Sequence, residues 1–179
     1  VITAAQYVAH ALLRRQPACG RTRVVAIDGR SGAGKTDLAA DLSAVLGAPV
    51  FALEDIYPGW RGLDAATAAV RDVLAAIAVD EIGRAERWDW ERQRPGAAMS
   101  IPPSPVLVVE GVGAGARSLR PFFSLLVWLE APDDVRRRRA LARDDGVFDA
   151  WWETWAAQER AHFARELTAS AADIIVHSH

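Results

Sequence analysis

Residues 23–46 limit what this chain can fold into more than any other stretch. Arg23-Val24-Val25-Ala26-Ile27-Asp28 is a short apolar, β-branched run, the pattern of a buried strand. It leads directly into Gly29-Arg30-Ser31-Gly32-Ala33-Gly34-Lys35-Thr36, a complete G-x-x-x-x-G-K-[ST] loop. From Asp37 onward, Leu38, Leu42, Val45 and Leu46 recur on one helical face. Strand, glycine loop and helix in that order aim a helix N-terminus at phosphate. The glycines let successive backbone N–H groups turn toward a polyphosphate. The lysine reaches the β- and γ-phosphates, and the threonine hydroxyl coordinates Mg²⁺. Lys35 is the only lysine in the chain; every other basic side chain is arginine. A planar guanidinium substitutes poorly for a compact ammonium in such a wrap. Gly29, Arg30, Ser31, Gly32, Ala33, Gly34, Lys35, Thr36 and Asp37 form the expected nucleotide-binding set.

The rest of the chain supplies the partners this unit needs. Residues 49–53 read as a second short strand ending at Glu54-Asp55, and residues 105–109 as a third ending at Glu110-Gly111. A fourth, over 122–129, ends at Glu130, and a last short strand covers 173–176. Helices are expected over 3–15, from Asp64 as N-cap to about 77, from Pro132 through the arginine run, and over 149–167. Strands alternating with helices predict an α/β fold: a parallel sheet between two helical layers, with ligands beyond the carboxyl ends of the strands. The polar segment 80–104, with Pro95, Gly96, Pro102 and Pro103, reads as a long functional loop or a small hairpin insertion. No second domain boundary is visible, so 1–179 reads as one domain.

Composition excludes several classes. A net charge of −2 gives no electrostatic case for nucleic acid or a membrane surface as partner. Cys19 alone makes no disulfide framework, which points to the reducing cytoplasm. No stretch reads as a transmembrane helix or a signal peptide.

Phosphoryl transfer from ATP needs metal ligands, a group to take the acceptor hydroxyl proton, and cations for the developing charge. Glu54 and Asp55 end a strand beside the phosphate loop, and either suits the base or a metal ligand. Glu110 ends the third strand, where an acidic metal or water-orienting group is expected. Thr36 completes the metal set. Among Arg136 to Arg139, consecutive side chains point about 100° apart. Arg139 and Arg143 share a face and could close over nucleotide as a lid over about 134–147, whereas Arg136 and Arg137 are expected in solvent. In Trp88-Asp89-Trp90-Glu91-Arg92-Gln93-Arg94, two indoles flank a carboxylate. Trp88, Asp89, Trp90 and Arg94 are the expected acceptor-binding residues, stacking a ring and bonding hydroxyls. Trp151, Trp155, Gln158 and His162 recur at helical spacing and read as core.

In this order the motifs resemble the uridine kinase-like branch of the P-loop nucleoside and small-metabolite kinases. The segment 28–36 is similar to that family's phosphate loop. Leu53-Glu54-Asp55-Ile56-Tyr57 resembles its Asp-x-Phe-Tyr motif. Aligned on Tyr57, a substrate-side residue, the family's catalytic aspartate falls on Glu54. Trp88-Asp89-Trp90 resembles the acceptor-site Tyr-Asp-Phe, and Val109-Glu110-Gly111 the acidic strand end. The segment 139–144 is similar to the Arg-Arg-x-x-Arg-Asp lid, with Ala140 replacing an arginine. Ala172-Asp173-Ile174-Ile175-Val176 resembles the family's terminal strand. The resemblance implies a five-stranded sheet in the order 2-3-1-4-5, ATP and Mg²⁺, and a small hydroxyl-bearing acceptor, a nucleoside or nucleoside-like metabolite first. Two alternatives stand beside it: a nucleotide-dependent switch that binds a protein partner, and a nucleotide-binding homologue without turnover.

Overall fold

The computed structural model describes residues 2–143, except the side chain of Arg143, and residues 150–178. Its frame is a five-stranded parallel sheet of β1 (Arg23–Asp28), β2 (Val50–Ala52), β5 (Val106–Glu110), β6 (Leu125–Glu130) and β7 (Ile174–His177), in the order β2-β5-β1-β6-β7. Counting sheet strands alone, this is the expected 2-3-1-4-5. The register pairs Ile27 with Glu110 and Asp28 with Trp128, so the functional ends of β1, β5 and β6 lie level.

Alternation along the strands assigns the two faces. Val25, Ile27, Val106, Val108, Leu125 and Val127 pack with α1 (Ala4–Leu13) and α2 (Lys35–Leu46) on one side. Val24, Leu107, Val109 and Phe51 pack with α3 (Leu63–Ala78) on the other, and Trp155 of α5 joins that layer. The inner strands are apolar on both faces, as a parallel sheet covered by helices requires. Thr3 starts α1 with a reciprocal capping box to Gln6.

Residues 80–104 form the hairpin alternative: β3 (Gly83–Asp89) pairs antiparallel with β4 (Arg94–Ile101), outside the main sheet. The hairpin packs on α3, and a Cβ on Gly83 would meet the Val73 side chain at 2.6 Å. Three boundaries differ from expectation. Gly62, not Asp64, occupies the N-cap of α3; Asp64 sits in the first turn, where its carboxylate takes Arg165 at 2.7 Å. Residues 120–122 make a 3-10 turn, so β6 begins only at Leu125. After β2 the chain enters a 3-10 turn over Leu53–Asp55, which decides where Glu54 and Asp55 point. α4 (Asp133–Arg143), α5 (Trp152–Glu166) and the short α6 (Thr168–Ala171) complete the chain. Among the described residues no helix is long and apolar enough to cross a membrane.

Candidate active site

The crevice between β1 and β5 is where strand order reverses, and ligands of such sheets bind there. It opens as a cleft of about 640 Å³. Ser31, Gly32, Gly34, Lys35, Thr36 and Asp37 form one wall. Gly34 is the N-cap of α2 in the left-handed conformation (φ +96°), and it supplies no side chain to cap the first turn. The N-terminal N–H groups of α2 therefore face the cleft without a competing side-chain acceptor. Gly32 answers a different need. A Cβ there would lie 2.0 Å from the Arg136 carbonyl oxygen, so only glycine lets α4 pack on the loop. Lys35 is largely buried, its Nζ donating to the Arg30 carbonyl at 3.0 Å.

The acidic strand ends have separate jobs. Asp28 is fully buried and accepts N–H groups from Gly29 (2.7 Å), Gly113 (3.0 Å) and Gly115 (2.8 Å). It fixes the loop after β5 to the end of β1. Burial pushes its carboxyl up to about 6, although those N–H groups and Lys35 pull the other way. Glu110 ends β5 next to Thr36, whose Oγ1 donates to Glu110 Oε1 at 3.3 Å. A hydroxyl and a carboxylate beside a phosphate loop are the hard oxygen donors Mg²⁺ takes, with phosphate oxygens and water completing the shell. Among the described residues no cluster of three or more His, Cys, Asp or Glu stands ready to hold a metal by itself. Glu54 lines the cleft. Asp55 does not: its Oδ2 takes Arg87 Nη1 of the hairpin at 3.1 Å. Successive residues of a 3-10 turn project about 120° apart, so these neighbours cannot share a target. Of the three expected metal ligands the structure brings together Thr36 and Glu110, and it turns Asp55 away.

Helices α4 and α5 close the loop from outside. Arg136 is buried rather than solvated: Nη1 donates to the Ser31 carbonyl at 3.1 Å and Nη2 to Asp133 at 2.6 Å. Arg137 remains exposed, as expected. Glu159 Oε1 accepts the Ser31 N–H at 2.7 Å, and Trp155 Nε1 donates to Ser31 Oγ at 2.8 Å and Glu159 at 2.9 Å. Ser31 is thus held at its N–H, hydroxyl and carbonyl. Trp155 and Glu159 are site residues that sequence reasoning missed, because the helical stripe carrying Trp155 reads as core. Trp155 is indeed buried, but it also lines the cleft. Arg139 lines the cleft and donates to Ser178 Oγ at 2.8 Å, which ties α4 to the end of β7. The side chain of Arg143 and residues 144–147 of the expected lid lie outside the described residues.

Much of the remaining lining is aromatic. Tyr57, Trp60, Trp90 and Trp155 line the cleft with Val112. Tyr57 is buried, its hydroxyl donating to the Val112 carbonyl at 2.8 Å. Trp90 Nε1 donates to the Glu54 carbonyl at 3.2 Å, so the hairpin is pinned to the turn that carries the carboxylate. Trp88, Asp89 and Arg94 do not line the cleft. Asp89 accepts Arg92 N and Nη1, each at 2.9 Å, and closes the hairpin turn. That engagement holds its carboxyl below the ordinary range. Arg94 pairs in register with Asp89 and is exposed. Trp60 was not singled out in the sequence; its place after Tyr57-Pro58-Gly59 reads as a turn.

Neither protein-family models nor curated proteins yield a match to this chain. Solved structures do. A possible uridine kinase from Bacillus stearothermophilus superposes with a TM-score of 0.67 at 20% identity, covering 96% of both chains. A candidate fructose transport system kinase from Silicibacter sp. TM1040 gives 0.60 at 21% identity, over 97% of this chain and 99% of that one. Shikimate kinase from Acinetobacter baumannii, in complex with shikimate, gives 0.50 at 15% identity, over 88% and 84%. At these identities the likeness is one of fold: the chain shares the fold of P-loop small-molecule kinases.

Proposed function

We propose that the protein transfers the γ-phosphoryl group of ATP to the hydroxyl of a small molecule. One observation carries this proposal. A single cleft is lined by the phosphate loop, by Thr36, Glu110 and Glu54, and by the rings of Tyr57, Trp60, Trp90 and Trp155. Lys35 and the first-turn N–H groups of α2 hold the β- and γ-phosphates, and Arg139 adds positive charge to the same cleft. Thr36 and Glu110 would hold Mg²⁺, which when bound would supply positive charge against that developing on the γ-phosphoryl group. Glu54 accepts the proton of the acceptor hydroxyl as its oxygen bonds to phosphorus and the bond to ADP breaks. Trp90 folds the hairpin toward the cleft, which suits a kinase enclosing its acceptor better than a switch displaying a surface.

A protein of this kind gains stability from Mg-ATP by mass action, about 2.7 kcal/mol at a hundredfold excess over the dissociation constant. Lys35→Ala removes most of that gain. Thermal unfolding with and without Mg-ATP measures it, together with ADP release in the presence and absence of hydroxyl acceptors. An unchanged melting temperature in the parent would end the proposal. ATP hydrolysis that no acceptor stimulates would favour the nucleotide switch instead.

A further inference from the structure

The rings that line the cleft meet at steep angles. Trp60 and Trp90 are inclined by 54° with centroids 4.9 Å apart, Trp60 and Trp155 by 84° at 6.4 Å, and Tyr57 and Trp155 by 70° at 4.9 Å. A flat heteroaromatic ring is gripped best between parallel faces. None of these three pairs of lining rings is parallel. The near-parallel partner of Trp60, Trp151 at 9° and 6.0 Å, does not line the cleft. Mutually inclined aromatic walls form a box, and boxes of this kind attract compact cations through the negative faces of their rings.

The charges agree. Glu54 and Glu110 line the cleft, and Asp28 and Glu159 lie near enough to act on Tyr57. Burial first, and these four carboxylates after it, hold the Tyr57 hydroxyl well above its ordinary value. The lining cations, Lys35 and Arg139, donate to the Arg30 carbonyl and the Ser178 hydroxyl. A triphosphate would engage both.

We propose that the acceptor is a compact organic cation bearing a hydroxyl, such as a quaternary ammonium or other onium alcohol, seated in the box of Tyr57, Trp60, Trp90 and Trp155. This rests on the kinase function proposed above. The test compares charged and neutral twins by calorimetry, with Mg²⁺ and a non-hydrolysable ATP analogue present. Choline is set against neohexanol, its carbon isostere, and 2-hydroxyethyl dimethylsulfonium against 3-methylbutan-1-ol, with uridine as a neutral nucleoside.

Each cation is expected to bind about tenfold tighter than its twin, or more, and uridine weakly. Trp60→Leu should erase the preference and Trp60→Phe should keep most of it. Stabilisation by the ATP analogue shows that each variant folds, and Trp90→Leu replaces Trp60→Leu if that one does not. Equal or tighter binding of the neutral twins overturns the cation proposal and leaves the kinase function standing. So does binding of the ATP analogue with no binding of any cation. Failure of the analogue itself to bind overturns both.

Discussion

Glu54 and Asp55 are adjacent carboxylates with different neighbours, and the difference can be measured. Glu54 faces the cleft and Asp55 faces Arg87. Glu54→Gln should lower kcat about a hundredfold or more, the usual size of a general-base contribution. Asp55→Asn gives up a half-exposed ion pair, worth no more than about 1 kcal/mol of stability, and should leave kcat near the parent value. Steady-state kinetics on both variants decides; a larger loss in Asp55→Asn would move the base. Asp28 gives a second prediction, with a definite sign. Its carboxyl is raised from 3.8 to about 6 in the folded protein. Between those values the folded chain binds the proton more tightly than the unfolded one. The group's contribution is therefore fully present below about pH 4 and is lost as pH rises through about 6. Asp28→Asn removes that titration. The stability of the parent relative to the variant should fall by up to about 3 kcal/mol between about pH 4 and pH 7, read by denaturant unfolding at each pH. A rise over the same range would show that the three N–H bonds, not burial, dominate.

At the scale of elements, α4 and α5 are braces for the phosphate loop. Arg136 spans from α4 to the Ser31 carbonyl, and Gly32 packs under the Arg136 carbonyl. Arg136→Ala should destabilise the protein by about 1–3 kcal/mol, since the Ser31 carbonyl loses its donor. It should also weaken Mg-ATP binding. Arg137→Ala, exposed on the same helix, should stay within about 0.5 kcal/mol. Chemical denaturation and nucleotide titration of the pair measure this, and equal effects would mean that α4 does not brace the loop. The sequence shows why one arginine of four must differ from the others: helical spacing sends them in four directions. It does not show which direction is inward, because that depends on where α4 docks. The same limit hid Trp155. A helical stripe identifies a buried face, but not that part of that face borders a ligand cleft. In the hairpin, Trp90 reaches the cleft while Trp88 and Asp89 do not. The turn, closed by Arg92 on Asp89, sets that outcome, and the alternation of residue types gives no hint of it.

For the whole molecule, the order of strands and helices was legible because the central strands β1, β5 and β6 are short apolar runs ending in an acid. The glycine loop between β1 and α2 was legible too, since its sequence pattern is local. The aromatic lining was not: Tyr57, Trp60, Trp90 and Trp155 come from three separate parts of the chain and meet only through the packing of hairpin, turn and α5. What unites the molecule is one cleft lined by both the glycine loop and the aromatic rings. The most direct test is mass spectrometry of a small-metabolite extract incubated with the protein and Mg-ATP. A metabolite should disappear as a species heavier by one phosphoryl group appears. The conversion should be absent with Lys35→Ala and strongly slowed with Glu54→Gln. ATP consumed to ADP and free phosphate with no phosphorylated metabolite, or no consumption at all, would contradict phosphoryl transfer to a small-molecule acceptor.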